Sequence, residues 1–329
     1  MGWWPAAWTA RAGLWSYAQL SQPGPTAVAD HHYVSARLRS VLPGRVRAGL
    51  RRYYGVVHGS ATVGHWDHGS AEFQRVIVPS SLRDVDAAGA ANALRLSAPI
   101  FGPVPYRGGP VEIEIGLFSV RTAELVGPYL DVLLDVAGAA GPALVPGVRP
   151  VADVVVRGMR ALIETDGAVS LELGLSRSFV SPSGSDHVLI KAPRGEVDVS
   201  GWFVGDDDMA YDADGVVPLG HPWLAFTLDV TSERADWHMI PALREAHANV
   251  REAVLFSRRS EARGLLEALR VTALSSPDLL PRDATKLFDT TRKLVADAFP
   301  GGPTTGRRRD IGPLESLDLY SSAPVGRTV

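Results

Sequence analysis

The chain has 329 residues, 46% of them apolar and 21% charged, with a formal net charge of −3. Those values fit a globular protein of roughly two domains of about 100 to 200 residues each; they exclude wholesale disorder and a surface built throughout for nucleic acid. No run approaches the roughly 18 apolar residues of a membrane-spanning helix, and the absence of cysteine excludes disulfides, thiolate nucleophiles and Cys-held zinc or iron–sulfur centres.

The first segment, "MGWWPAAWTARAGLWSY", lacks the basic start and continuous apolar core of a signal peptide, so a cytoplasmic location is expected. Lysine occurs only at Lys191, Lys286 and Lys293, against abundant Arg, Ala, Gly, Val and Pro, the bias of a GC-rich bacterial genome. Pro5 suits the first turn of a helix. At about 100° per residue, Trp4, Trp8 and Trp15 then fall within roughly 40° of one another. Downstream, "YVSARLRSVLPGRVRAGLRRYY" sets Arg37, Arg39, Arg45, Arg47, Arg51 and Arg52 against no acid. Residues 1–69 are therefore expected to form a Trp/Arg-rich arm, partly helical.

From 70 to 232 the pattern changes to short β-like runs at 72–78, 93–101, 111–120, 168–179, 186–192, 196–204 and 223–231. Period-two alternation is clearest at Val111, Glu112, Ile113, Glu114 and Ile115, which puts one face on a core and the other in water. "PYRGG", "ETDG" and "SPSGS" supply the turns between runs. Between the third and fourth strands, Leu125, Tyr129, Leu133 and Val136, then Val151, Val155, Met159 and Leu162, recur at helical spacing. The fold class expected is α+β: an antiparallel β-sandwich with a helical insertion at about 121–165, followed by a C-terminal helical region.

That region, 233–299, carries apolar stripes at Ile240, Leu243, Val250 and Val254, at Leu265, Leu266, Leu269 and Leu274, and at Leu287, Phe288, Leu294 and Val295. "SSPD" predicts an N-cap at Ser276 with Pro277 at the first helical position. Beyond Phe299 the periodicity is lost, and 300–329 is expected to be a disordered tail. Within it, Ile311, Leu314 and Leu317 sit among charges in "RRRDIGPLESLDLYSS", a composition suited to folding on a partner.

Chemistry-bearing clusters are few. "FVGDDDMAYDADGVV" packs Asp206, Asp207, Asp208, Asp212 and Asp214 into nine residues. With Gly215 at position 6 of an EF-hand loop, positions 1 and 12 would be Ala210 and His221, which breaks the pattern. An alternative is a calcium site like that of C2-type domains, shared with Asp84, Asp86, Glu164 or Asp166. The favoured reading is a soluble turn. "GHWDHG" contains His65, Asp67 and His68; this H-x-D-H string resembles part of the metal motif of metallo-β-lactamase-like hydrolases, although Val63 stands where the family has a further histidine. The resemblance implies a zinc-activated water held by these residues, with His58 nearby. Asp30, His31 and His32 read as a helix N-cap, His247 as a satisfied core histidine, and "TSERADWH" (231–238) as an ion-paired hinge. Nucleophile elbows and phosphate- or dinucleotide-binding glycine loops are absent.

These observations favour a non-enzymatic bacterial adaptor, without cofactor or bound metal, that assembles with a protein partner through Trp4, Trp8, Trp15, Ile311, Leu314 and Leu317. Peripheral attachment to a membrane surface through the N-terminal arm is an open alternative, and nucleic acid is disfavoured. Two further alternatives are a metal-dependent hydrolase using His65, Asp67 and His68, and a calcium- or lipid-dependent C2-like module.

Overall fold

The computed structural model describes residues 16–44, 47–48, 51–64, 70–77, 93–121, 169–192, 195–299 and 310–320. Two antiparallel five-stranded sheets, a two-stranded hairpin, three α-helices and two short 3-10 turns make up the regular structure of the described chain, in agreement with an α+β class. The first sheet has the order β1 (Ser16–Gln19), β9 (Ser185–Ile190), β12 (Trp223–Thr231), β2 (Tyr33–Leu42) and β6 (Leu94–Pro105). In the second, β4 (Arg51–Gly64), β7 (Val111–Arg121) and β8 (Val169–Phe179) run in sequence, with β3 (Arg47–Ala48) and β5 (Ser70–Ile77) both pairing with β4. Both sheets supply one apolar cluster: Val34, Leu38, Ile100, Phe226 and Leu228 from the first meet Val57, Ile113, Ile115, Leu117 and Leu173 from the second. Each such side chain contributes about 1.5 to 3 kcal/mol on burial.

The described strands within 16–64 belong to these sheets rather than to a separate arm. In β2, Val34, Ala36 and Leu38 point into the core while Ser35, Arg37 and Arg39 point outward, so two of the arginines that make the segment basic, Arg37 and Arg39, occupy the polar face of a central strand. His31 and His32 lie in a turn leading into β2, not at a helix start; His32 Nδ1 accepts from the Val28 N–H at 3.0 Å. Two glycines mark close approaches. A Cβ on Gly59 of β4 would lie 2.8 Å from Ile100 of the opposite sheet, and one on Gly102, at φ +79°, would lie 2.5 Å from the Val34 carbonyl oxygen.

The chain between β9 and β12 folds over the outward face of the first sheet. Trp202 and Ala210 cover Val188, Ile190, Trp223 and Ala225 there. Only β10 (Phe203–Val204) and β11 (Ala210–Tyr211) are strands in this excursion, so the run predicted at 196–204 shortens to its last two residues. Its earlier part turns at Gly195 and Gly201, both at positive φ, to bring Trp202 down onto the sheet. The predicted insertion at about 121–165 lies, apart from Arg121, outside the described residues.

Three helices follow: α1 (Pro241–Leu255), α2 (Arg259–Leu274) and α3 (Pro281–Ala298), with proline in the first turn of α1 and α3. The predicted start at Ser276 and Pro277 moves to Leu280 and Pro281. Residues 276–280 turn instead, with Ser276 Oγ accepting from the Asp278 N–H at 3.3 Å, so that Asp278, Leu279 and Leu280 are buried at the junction with the sheets. Of the predicted tail, residues 310–320 are ordered, a strap that places Leu314, Leu317 and Leu319 against Leu243, Leu279 and Leu287, and Ile311 against Val250 and Val295. No described helix is long and apolar enough to cross a membrane.

Sheets, helices and strap meet at Asp283, in the first turn of α3 and 0% exposed. Tyr33 of β2 donates to its Oδ2 at 2.6 Å and accepts from the Leu280 N–H at 3.0 Å, while Tyr320 of the strap donates to the same oxygen at 3.2 Å. Beside it, Arg234, 1% exposed, donates to Asp236 at 2.7 Å and to the Asp278 carbonyl at 2.8 Å. The predicted hinge at 231–238 is thus an ion-paired corner in which Arg234 and Trp237 are buried. Burial and the Asp283 hydrogen bond together raise the Tyr33 pKa, keeping it a proton donor. Tyr33→Phe leaves the Leu280 N–H and one bond of Asp283 unmet, and is expected to lower the free energy of unfolding in urea at pH 7 by about 2 to 4 kcal/mol.

Candidate functional site

The aspartate-rich stretch forms one wall of a cleft of 420 Å³, with Asp198, Asp212, Asp214 and His221 at its rim and Ile190, Trp202 and Leu219 among its apolar lining. Most of these acids have local work. Asp212 Oδ1 accepts from the Asp214 and Val216 N–H groups at 3.0 and 2.9 Å, and hydrogen bonds from the Ser200 hydroxyl and from the Ser200 N–H, the latter at 2.8 Å, hold the Asp198 carboxyl below the usual range. Asp207 accepts from Tyr211 Oη at 2.6 Å and from the Met209 N–H at 3.1 Å. Asp208, at φ +68°, points the other way and pairs with Arg39 at 2.8 Å, tying the β10–β11 hairpin to β2. These are turn caps and a tether, the chemistry expected of Asp in tight turns. Among the described residues no three His, Asp or Glu side chains are placed to share a metal ion.

A second cluster, which the sequence reading missed, lies inside the first sheet. His187 of β9 is fully buried; its ring stacks on Phe226 at 4.9 Å and on Tyr17 at 5.7 Å. Tyr17 Oη lies 2.7 Å from His187 Nδ1, Ser185 Oγ lies 2.9 Å from Nε2, and Ser185 Oγ donates to the Ser183 carbonyl at 3.1 Å. Every donor is satisfied when Tyr17 donates to Nδ1 and Nε2–H donates to Ser185. That polarity is the reverse of a nucleophile pair, in which serine gives its proton to histidine. Burial pushes Tyr17 up to about 12 and His187 down to about 4, with Arg177, stacked 4.3 Å above the Tyr17 ring, adding to the latter. The Ser-x-His spacing, which puts both side chains on one face of a strand, was the available signal.

The remaining predicted residues fall as follows. Trp4, Trp8 and Trp15 lie outside the described residues, as do His65, Asp67, His68, Asp84, Asp86, Glu164 and Asp166. His58 is buried on β4, where desolvation lowers it to about 4. Ile311, Leu314 and Leu317 are buried by the chain's own helices rather than free for a partner, because the strap supplies the apolar surface that α1 and α3 leave uncovered. His247, on α1 beneath the strap, is buried, but its Nε2 has no hydrogen-bond partner.

No protein-family model, curated protein or solved structure matches the chain.

His187 carries a stability signature. Its folded pKa of about 4 lies below the ordinary value of 6.5, so the neutral ring stabilises the fold in full above about pH 6.5, and that contribution is lost as pH falls toward 4. The loss amounts to at most about 3 kcal/mol. The decline in urea midpoint between pH 7 and pH 4.5 is expected to be clearly smaller in His187→Gln than in the parent.

Proposed function

We propose that the chain is a non-catalytic bacterial accessory protein, acting in the cytoplasm, whose two sheets form a sandwich that holds a helical contact module. Three side chains at one end of the α1–α2 hairpin carry this reading: Val271 is 67% exposed, Met239 47% and Leu274 41%. Antiparallel packing of α1 on α2 brings the start of one helix to the end of the other, and Ala273 shares a cluster with Ile240 and Leu243 there. Exposed apolar groups gathered at one place mark contact surfaces, and they fit an apolar face of a protein partner.

The engagement of the polar groups supports the same reading. The aspartates cap turns, the Ser185–His187–Tyr17 chain is satisfied internally, and the Arg234 corner joins structural elements. The Trp4, Trp8 and Trp15 face is proposed as a second contact, consistent with the weight of Trp in binding hot spots.

The test is Val271→Glu combined with Leu274→Glu in full-length protein purified under native conditions. Surface changes of this kind leave stability within about 0.5 kcal/mol, so the thermal midpoint should hold while a stoichiometric co-purifying polypeptide, identified by native mass spectrometry, is lost. A parent protein that carries no partner, or a double variant that keeps it, overturns the reading.

A further inference from the structure

The strap lies against two apolar clusters that α1 and α3 share. Leu314 and Leu317 join Leu243 and Leu287 in one; Ile311 joins Val250 and Val295 in the other. Between these layers the groove is polar. His247 falls between Leu243 and Val250 on α1, Thr291 falls between Leu287 and Val295 on α3, and both are at most 1% exposed. Neither His247 Nε2 nor Thr291 Oγ1 has a hydrogen-bond partner. Closing an apolar segment over unmet polar groups weakens its seating, because each group forfeits its bond to water. The strap is held at its two ends by polar contacts. Asp310 forms a two-pronged pair with Arg251 at 2.6 and 2.5 Å, and Tyr320 reaches Asp283 and the Arg234 N–H.

We propose that residues 310–320 are an acid-releasable latch over the α1–α3 groove, with His247 as the group that takes up the proton. Under the closed strap the imidazole is desolvated, and Arg251 on its own helix opposes a second positive charge. Asp310 and Glu315 of the strap pull the other way, and no charged group of α2 or α3 among the described residues acts on it. The balance of these influences disfavours the imidazolium while the strap is closed. Release wets the ring and restores its ordinary affinity for a proton, so acid favours the open form. Opening would uncover Leu243, Val250, Leu287 and Val295, an apolar groove distinct from the Val271 and Leu274 surface, and would stand whether or not that surface binds a partner.

The measurement is hydrogen–deuterium exchange of the full-length chain at pH 7.5 and 5.5, corrected for intrinsic rates. With an open-form pKa near 6.5 and a lowered one under the strap, the opening equilibrium should rise several-fold, by at most about tenfold, at the lower pH. Peptides covering 311–320 should lose that much protection while those of α2 and the sheets do not. In His247→Gln and His247→Leu the strap should show the same protection at both values. A strap insensitive to pH in the parent, a pH response that persists in both variants, or a loss of protection shared by all three helices would each overturn the latch.

Discussion

The Asp283 carboxylate is the point on which the arrangement of the described chain turns. It sits in the first turn of α3, where the free N–H groups and positive end of the helix favour an anion. Its Oδ2 receives a hydroxyl from β2 and another from the strap, so residues 250 and 37 positions away along the chain are bonded to one atom of α3. Removing an anion from water is costly unless hydrogen bonds replace its hydration. The two tyrosines supply that replacement at Oδ2, burial keeping each protonated, with Tyr320 raised to about 12, while Oδ1 has no hydrogen-bond partner and lies 3.6 Å from Arg282 Nε. Arg234 beside it obeys the same rule, satisfied by Asp236 and by the backbone and side chain of Asp278. Such networks contribute less to net stability than to uniqueness: a helical layer docked on sheets by apolar contact alone could slide, and a layer fixed by directional bonds to a buried charge cannot do so without stranding it.

The same physics explains why the most chemical-looking residues do no shared chemistry in the described structure. Five aspartates within nine residues would repel one another if they converged. Instead Asp207 and Asp212 turn inward to their own backbone, and Asp208 crosses to Arg39. Histidines are treated in the opposite manner. His58 and His187 are placed where burial holds them neutral across the physiological range, and His187 is hydrogen-bonded to Tyr17 and Ser185 within an apolar interior. His247 differs from His187 in two respects: its Nε2 has no hydrogen-bond partner, and the element that covers it is a short strap rather than a sheet.

Much of the fold was legible from periodicity. The runs at 111–120, 168–179 and 223–231 match β7, β8 and β12 closely, because apolar residues alternating with polar ones in β7 and β8 suit a pleated surface, and the short, nearly continuous apolar run of β12 suits a strand covered on both faces. The helical stripes after Ile240 correspond to α1, α2 and α3 for the equivalent reason at a 3.6-residue period. Where the reading erred, charge had masked the pattern. The arginines of β2 suggested a basic arm, whereas Arg37 and Arg39 alternate with buried Ala36 and Leu38 in the middle of a sheet. Likewise the charges around Ile311 and Leu314 suggested a free tail, although Asp310 and Tyr320 serve to anchor it.

Local sequence by itself determined the strands at 111–120, 168–179 and 223–231, the apolar stripes of the three helices after Ile240, and that the aspartate-rich stretch would turn tightly, since all of these follow from neighbours within a few residues. Only the tertiary structure decided that Tyr33 and Asp283 would meet, that Ser185, His187 and Tyr17 would close a hydrogen-bonded chain, and that the strap would cover α1 and α3. Those outcomes depend on pairings across as many as 250 positions, where the cost of stranding a buried polar group selects one arrangement among many that the local patterns allow equally.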